Sequence, residues 1–332
     1  MPYVPQRFST PVVTTPAVTW KRQLPYISPG EYQFAPTGLA TSLLVQGANP
    51  NGSTNIASLA QVLHRASTWI DDECFFGEVA SLAAHVRTES AWTKIKPLGN
   101  IDFIANVKPV LEVLGVALGP TPGQQADISP SFAEMISIDD VLIHLPAGFP
   151  INVTGPFAPT AWQWNVAQTN GDVYMTVQYV AGFPHTYLTA NATAGATTIQ
   201  VAYTDLGNSE VVGLDAFTVP MELYIRDGAN TESVVVTQVQ GNILILQSPL
   251  QFSHAVPGWP DFIPVTAIPY SIEEATILLT NVLLKTQGYR AMTLPMTPGA
   301  RPGEEAMGLA GVLGDFHYAM KLIAPYRRVY LR

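Results

Sequence analysis

The sequence predicts an α+β protein: a helical bundle built from the N- and C-terminal thirds, a long inserted β-rich region of sandwich or barrel type, and an extended N-terminal arm. Three observations carry this. Apolar residues recur with a period of three to four near both ends, short β-branched runs alternate with Gly, Pro and Asn turns in the middle, and prolines crowd the first fifty positions. The corresponding division is an arm over 1–52, a helical core from 53–101 and 268–332 that ends in a docking tail, and a β-rich insertion over 102–267.

The arm contains eight prolines in its first fifty residues and a single acid, Glu31. Proline disfavours helix and favours extended backbone. Aromatics are scattered among the prolines, which a disordered tail normally lacks. Tyr3, Phe8, Trp20 and Tyr26 are therefore expected to dock on a neighbouring subunit, with a floppy leader as the equal alternative for residues 1–20.

The first helix is expected over 53–75. Ser53 to Asn55 offer a cap, and Ile56, Leu59, Leu63, Ala66 and Ile70 line one face. A second helical piece is expected over 77–92. In the β region the clearest hairpin turns on Asn170-Gly171, the preferred type I′ pair, with Trp162, Trp164 and Val166 facing Val173, Met175, Val177 and Tyr179. Further turns are expected at Gln240-Gly241-Asn242 and Asp227-Gly228. Helix returns near Ser271, which with Glu274 reads as a capping box, and stops at Gly288. A last helix is expected from about 303 to 324, ended by Pro325.

Charge is scarce and sorted. Asp, Glu, Lys and Arg make up 12% of the 332 residues, and the net charge is −9, where a soluble protein usually carries about 25% charged residues. Charge depletion marks the cores of interfaces, so a surface covered by other chains is expected. Between Pro109 and Leu284 one basic residue, Arg226, faces fifteen acids, while the chain closes on the basic, aromatic "KLIAPYRRVYLR". Lys321, Arg327, Arg328 and Arg332, with Pro325, Tyr326 and Tyr330, are expected to plug into a partner protein. Four cations on so acidic a chain are a weak nucleic-acid signal.

Catalytic and cofactor motifs are missing. There is no GxxxxGK[ST], no GxGxxG after a strand and no GxSxG. The six histidines are dispersed. Asp71-Asp72-Glu73 are adjacent on a helix and diverge, which reads as a solvated helix end rather than a metal site. Asp139-Asp140 and Glu273-Glu274 are acid pairs without a partner element, and the second is explained by the positive end of a helix. Cys74 reads as a core residue. His185 and His254 fit loop packing, and Trp162 with Trp164 fit a sheet core better than a sugar platform. With one cysteine no intrachain disulfide forms, which fits a reducing cytoplasm. No run is long enough for a membrane helix, and the first residues lack the apolar core of a signal peptide.

Several stretches, in order, resemble the head–tail connector (adaptor) proteins of tailed bacteriophages. "LAQVLHRASTWIDDEC" is similar to the opening helix of that family. "VQYVAGFPHTYLTANATAGATTIQV" and "TESVVVTQVQGNILILQSPLQFSHA" are similar to a β segment of its longer members. "IPYSIEEATILLTNVLLKTQG" resembles its late helix and "LIAPYRR" its ending. The Lys285-Thr286-Gln287-Gly288 stretch departs from the Arg expected before the glycine, and the proline-rich arm lies outside the resemblance.

The resemblance implies a structural virion protein of the neck, made in the host cytoplasm. It implies a homo-oligomeric ring, commonly dodecameric, bound to the portal protein on one side and to a stopper, tail-tube or neck protein on the other. Double-stranded DNA would pass through it; no enzyme activity, cofactor or membrane is involved. The portal contact would fall to Pro325, Tyr326, Arg327 and Arg328. The acidic middle would line the channel, since like charge discourages DNA from sticking. The alternative is another phage tail or baseplate component, or a glycan-binding protein.

Overall fold

The computed structural model describes residues 24–39, 53–75, 81–96, 100–137, 139–145, 172–202, 220–285 and 304–327. Among the described residues these fall into two compact units, one within Ala84–Gly182 and one formed by residues 24–83 together with those from Phe183 onward.

The first unit is all β. Its strands are β1 (His85–Lys94), β2 (Asn100–Ile104), β3 (Val110–Thr121), β4 (Gln124–Ile128), β5 (Ala133–Met135), β6 (Asp140–His144) and β7 (Asp172–Ala181). They form two antiparallel sheets, ordered β1-β7-β3-β4 and β2-β6-β5. Alternation sets the core: Val173, Met175, Val177 and Tyr179 of β7 are all buried. Met175 pairs with Leu118 and Val177 with Val116 of β3, both also buried. In the other sheet Ile101 pairs with Ile143 and Phe103 with Val141, and the Phe103 ring meets Tyr179 edge-on at 5.5 Å.

Two expectations fail here. The helix expected over 77–92 is replaced from His85 onward by β1, which pairs along its whole length with β7, from His85–Ala181 to Lys94–Asp172. Ten long-range pairs override a local helix preference. The Asn170-Gly171 hairpin also fails over Tyr174–Tyr179, because β1 and β3 occupy the two edges of β7 there; its turn and first arm lie outside the described residues. Trp162 and Trp164 lie outside the described residues.

The second unit combines helices α1 (Pro29–Phe34), α2 (Ser53–Phe75), α3 (Tyr270–Leu283) and α4 (Glu304–Ile323) with strands β8 (His185–Tyr187), β9 (Thr198–Gln200), β10 (Met221–Ile225), β11 (Glu232–Gln240), β12 (Ile243–Leu246) and β13 (Pro264–Thr266). The strands form one antiparallel sheet ordered β8-β13-β10-β11-β12-β9. Gly241, at φ 61°, and Asn242 link β11 to β12 with Gln240 paired to Ile243, as the turn chemistry predicts. The β10–β11 connection contains Gly228 at φ 52°, a backbone that glycine adopts without strain.

Helix α2 buries the predicted face: Leu59, Leu63, Ala66 and Ile70, extended by Cys74. It packs on α3, which packs on α4. Leu59 and Leu63 meet Ile277 and Leu284 together with Ile27 and Tyr32. Helix α3 starts one residue before Ser271, with Pro269 as its cap and no side-chain cap bond, so the expected capping box is not formed. The Ser271 hydroxyl instead contacts the Tyr326 hydroxyl at 3.0 Å.

The fold class is therefore mostly β, not α+β with a helical bundle from both terminal thirds. Among the described residues, thirteen strands in three antiparallel sheets outweigh four α-helices. Strands already begin at His85, and the three long helices pack in series.

The described part of the arm departs from the extended reading as well. Ser28 and Glu31 form a capping box on α1, and Pro29 occupies the first helical turn, where its missing N–H costs nothing. Tyr26, Ile27 and Tyr32 are fully buried in their own unit. The Tyr32 hydroxyl donates to Asn281 Oδ1 and accepts the Leu39 N–H, while Asn281 Nδ2 donates to the Thr37 carbonyl at 2.7 Å. Tyr32→Ala should thus cost about 3–5 kcal/mol in urea unfolding; a loss below about 1 kcal/mol would show that this segment is not part of the folded unit.

Candidate functional site

The predicted docking residues scatter. Lys321 and Pro325 are exposed at the end of α4 and in the 3₁₀ turn after it. Tyr326 turns inward, edge-on to Phe183 at 6.0 Å and in contact with Ser271. Arg327 Nη2 donates to Glu73 Oε2 at 2.9 Å and to Met320 Sδ at 3.2 Å. Arg328, Tyr330 and Arg332 lie outside the described residues, as do Tyr3, Phe8 and Trp20. Tyr26, expected at a subunit contact, is buried instead, and its hydroxyl bonds to Asp71.

The Asp71–Glu73 run is a solvated end only at Asp72, which is exposed. Asp71 is buried and accepts from Tyr26 and from the Leu82 N–H, and Glu73 pairs with Arg327. Cys74 sits in the core, where burial, with the nearby Asp71 charge, pushes its thiol up to about 12. Of the other acid pair, Asp139 lies 3.5 Å from Lys108. Among the described residues no group of three His, Cys, Asp or Glu side chains is arranged to hold a metal.

Both histidines expected in loops are structural, and His185 opens β8. His185 bonds Thr266 Oγ1 and the Pro25 carbonyl. His254 is clamped between Asp227 Oδ2 at 3.0 Å and Glu232 Oε1 at 2.9 Å. Burial would raise Glu232, but the N–H groups of Gln251 and Phe252 together with His254 hold it below its usual range. The imidazole is sealed from solvent, so this triad ties the 251–254 loop to the β10–β11 turn rather than serving a substrate.

The chemistry that converges lies around Arg226, immediately after β10. Its Nη1 meets Glu273 Oε2 of α3 at 2.6 Å, and its Nη2 donates to the Ile268 carbonyl at 3.2 Å. The guanidinium lies 3.9 Å from the Tyr270 ring centre and 5.1 Å from that of Tyr224. Arg226 is 3% and Glu273 7% exposed. A cleft of about 480 Å³ opens onto this pair, lined also by Glu31, Phe34, Gly228 and Glu274. Phe34 covers Gly228: a Cβ there would stand 3.0 Å from the ring.

One guanidinium cannot neutralise two carboxylates, Glu273 buried and Glu31 half-buried. Burial raises Glu31 to about 7, offset partly by the Ser28 bonds and Arg226 and reinforced by Asp261. Burial raises Glu273 to about 8, with Arg226 pulling it down and Glu31 pushing it further up. Both carboxyls therefore titrate above the ordinary glutamate range, beside a buried cation. Local sequence reading misses this cluster because its members come from α1, the end of β10 and α3. The one available signal is that Arg226 is the lone cation of an acidic span.

Both carboxyls titrate above the usual glutamate value of 4.5 in the folded chain. Their contribution to stability is complete below about 4.5 and is lost as the pH rises through about 7 and 8. The thermal midpoint should be lower at about pH 8.5 than at about pH 5.5, and Glu31→Gln, neutral throughout, should shrink that difference; an undiminished difference would refute the assignment. Arg226→Gln, which strands Glu273, should cost about 3–5 kcal/mol by urea unfolding.

No protein-family model and no curated protein matches the chain.

Proposed function

We propose that this chain is a structural subunit of a tailed-phage neck: a head–tail connector that forms a homo-oligomeric ring, dodecameric by resemblance, between the portal and a stopper or tail component. Double-stranded DNA passes through the ring, and the chain performs no catalysis. The observation that supports this best is the packing of three segments that carry the resemblance. The opening helix, the late helix and the "LIAPYRR" ending are far apart in sequence, yet α2 packs on α3, α3 on α4, Tyr326 on the start of α3, and Arg327 on Glu73 of α2. The exposed apolar residues agree with a surface made for neighbours: Trp92 is 58% and Ile104 70% exposed in one unit, Phe34 71% and Trp259 68% in the other.

The docking plug narrows accordingly. Tyr326 and Arg327 are engaged within their own unit, so the portal contact falls to Lys321, Pro325 and the residues after Arg327. A glycan-binding tail component is the second reading, favoured by one feature: exposed Trp259, with Phe262 stacked on it at 6.4 Å and Tyr187 beside it at 6.3 Å.

Negative-stain imaging of the purified chain, alone or with portal-bearing capsids, should show rings. Deleting 328–332 should abolish capsid attachment without lowering the thermal midpoint; attachment at the level of the intact chain would overturn the plug. Trimers that bind a glycan array would support the second reading.

A further inference from the structure

We propose that residues 24–39 are exchanged between copies of this chain, so that in the assembled protein each copy's groove between α2, β8 and α3 holds the 24–39 segment of a neighbour. A chain folded alone closes its own groove with the same contacts. Three observations carry the exchange.

First, the segment is a self-contained plug. The capping box of Ser28 and Glu31 starts α1 from within, and the Tyr32 hydroxyl accepts the Leu39 N–H, which folds the end of the segment back onto its middle. These bonds travel with the segment whichever groove it enters.

Second, the groove receives it through side-chain sockets far away in sequence. The Tyr26 N–H donates to Ser67 Oγ at 2.9 Å, and its hydroxyl bonds to Asp71. His185 Nε2 meets the Pro25 carbonyl at 2.9 Å, the Gly30 N–H donates to Asp261 Oδ1 at 3.0 Å, and Asn281 takes the Tyr32 hydroxyl. Tyr26, Ile27 and Tyr32 are sealed from solvent there, so a groove left empty would expose a large apolar and polar surface. A neighbour's segment makes the same contacts as the chain's own, which is why exchange of an identical element is a low-cost route to association.

Third, the connection is longer than a local return requires. Leu39 packs against the cluster that contains Leu59 and Leu63 of α2, and Ser53, where α2 begins, lies about 9 Å from Leu59 along the helix axis. Connections between neighbouring elements usually take about four to six residues. The stretch 40–52 between Leu39 and Ser53 supplies thirteen, a length that spans up to about 43 Å when extended. That surplus is what a crossing to an adjacent copy needs.

This inference rests on the reading of the chain as a ring subunit and names the contact that links neighbours. A Cβ at Gly30 would stand 3.6 Å from Asp261 Cγ, the place a cysteine sulfur takes, so thiols introduced at both positions are within bonding reach. Full-length chains carrying Gly30→Cys or Asp261→Cys, with tags of different size, should be co-expressed and oxidised with copper–phenanthroline. Neither chain can form the bond internally, so a disulfide-linked heterodimer on a non-reducing gel is expected, and none when either variant is mixed with the unaltered chain. An internal bond in the double variant without any heterodimer in the mixture would overturn the exchange. Shortening the 40–52 connection to six residues leaves the groove untouched, and it should convert oligomers to monomers that still unfold cooperatively; oligomers of unchanged size would also overturn the exchange. Rings without the heterodimer would remove the exchange alone, whereas linked dimers that never close into rings would remove the connector and keep the exchange.

Discussion

The Arg226–Glu273 contact is the constraint on which the second unit depends. A guanidinium and a carboxylate taken out of water are each costly, and only close mutual pairing with further polar support makes their burial tolerable. That support comes from separate pieces of chain: Ile268 before α3, the rings of Tyr224 and Tyr270, and Glu31 on α1. The pair fixes where β10 ends and where α3 begins. The turn that follows Arg226 is held in the same region, through Asp227 and Glu232 on His254. Charge scarcity makes the arrangement conspicuous, because Arg226 has no basic neighbour within its span to share the load.

How much of this was readable beforehand depends on the range of the interaction. Helix α2 was legible to its ends, since Leu59, Leu63, Ala66 and Ile70 repeat along one face and a helix announces itself within its own turn spacing. The Gly241-Asn242 and Gly228 turns were legible for the same local reason. β1 was not, because its identity is decided by β7, more than seventy residues away. Two capping patterns show the same limit from opposite sides. Ser271 and Glu274 have the right spacing but fall inside a helix that begins at Tyr270. Ser28 and Glu31 have the same spacing and do form the box, in a stretch whose prolines suggest extended chain.

The candidate site was half visible. A lone arginine among acids stood out in the sequence, while the Glu-Glu pair was absorbed by a local explanation, the positive end of a helix. Their meeting is a product of tertiary structure, as is the inward turn of Asp71 toward Tyr26. Conversely, the basic ending was visible as a whole, and the structure divides it: Tyr326 and Arg327 serve the packing of α2 and α3, whereas Lys321 and Pro325 face outward. A segment that looks uniform in charge and aromatic content thus divides between internal packing and exposed surface.

Cys74 carries a consequence of another kind. The chain has a single sulfhydryl, set in the buried face of α2 and kept in its unreactive protonated form. Alkylating reagents attack thiolates, so they reach this atom only when the end of α2 lifts away from its neighbours. The protein carries a native clock: the rate at which the sulfur becomes modified counts the openings of one helix, with no probe to introduce and no second site to confuse the reading.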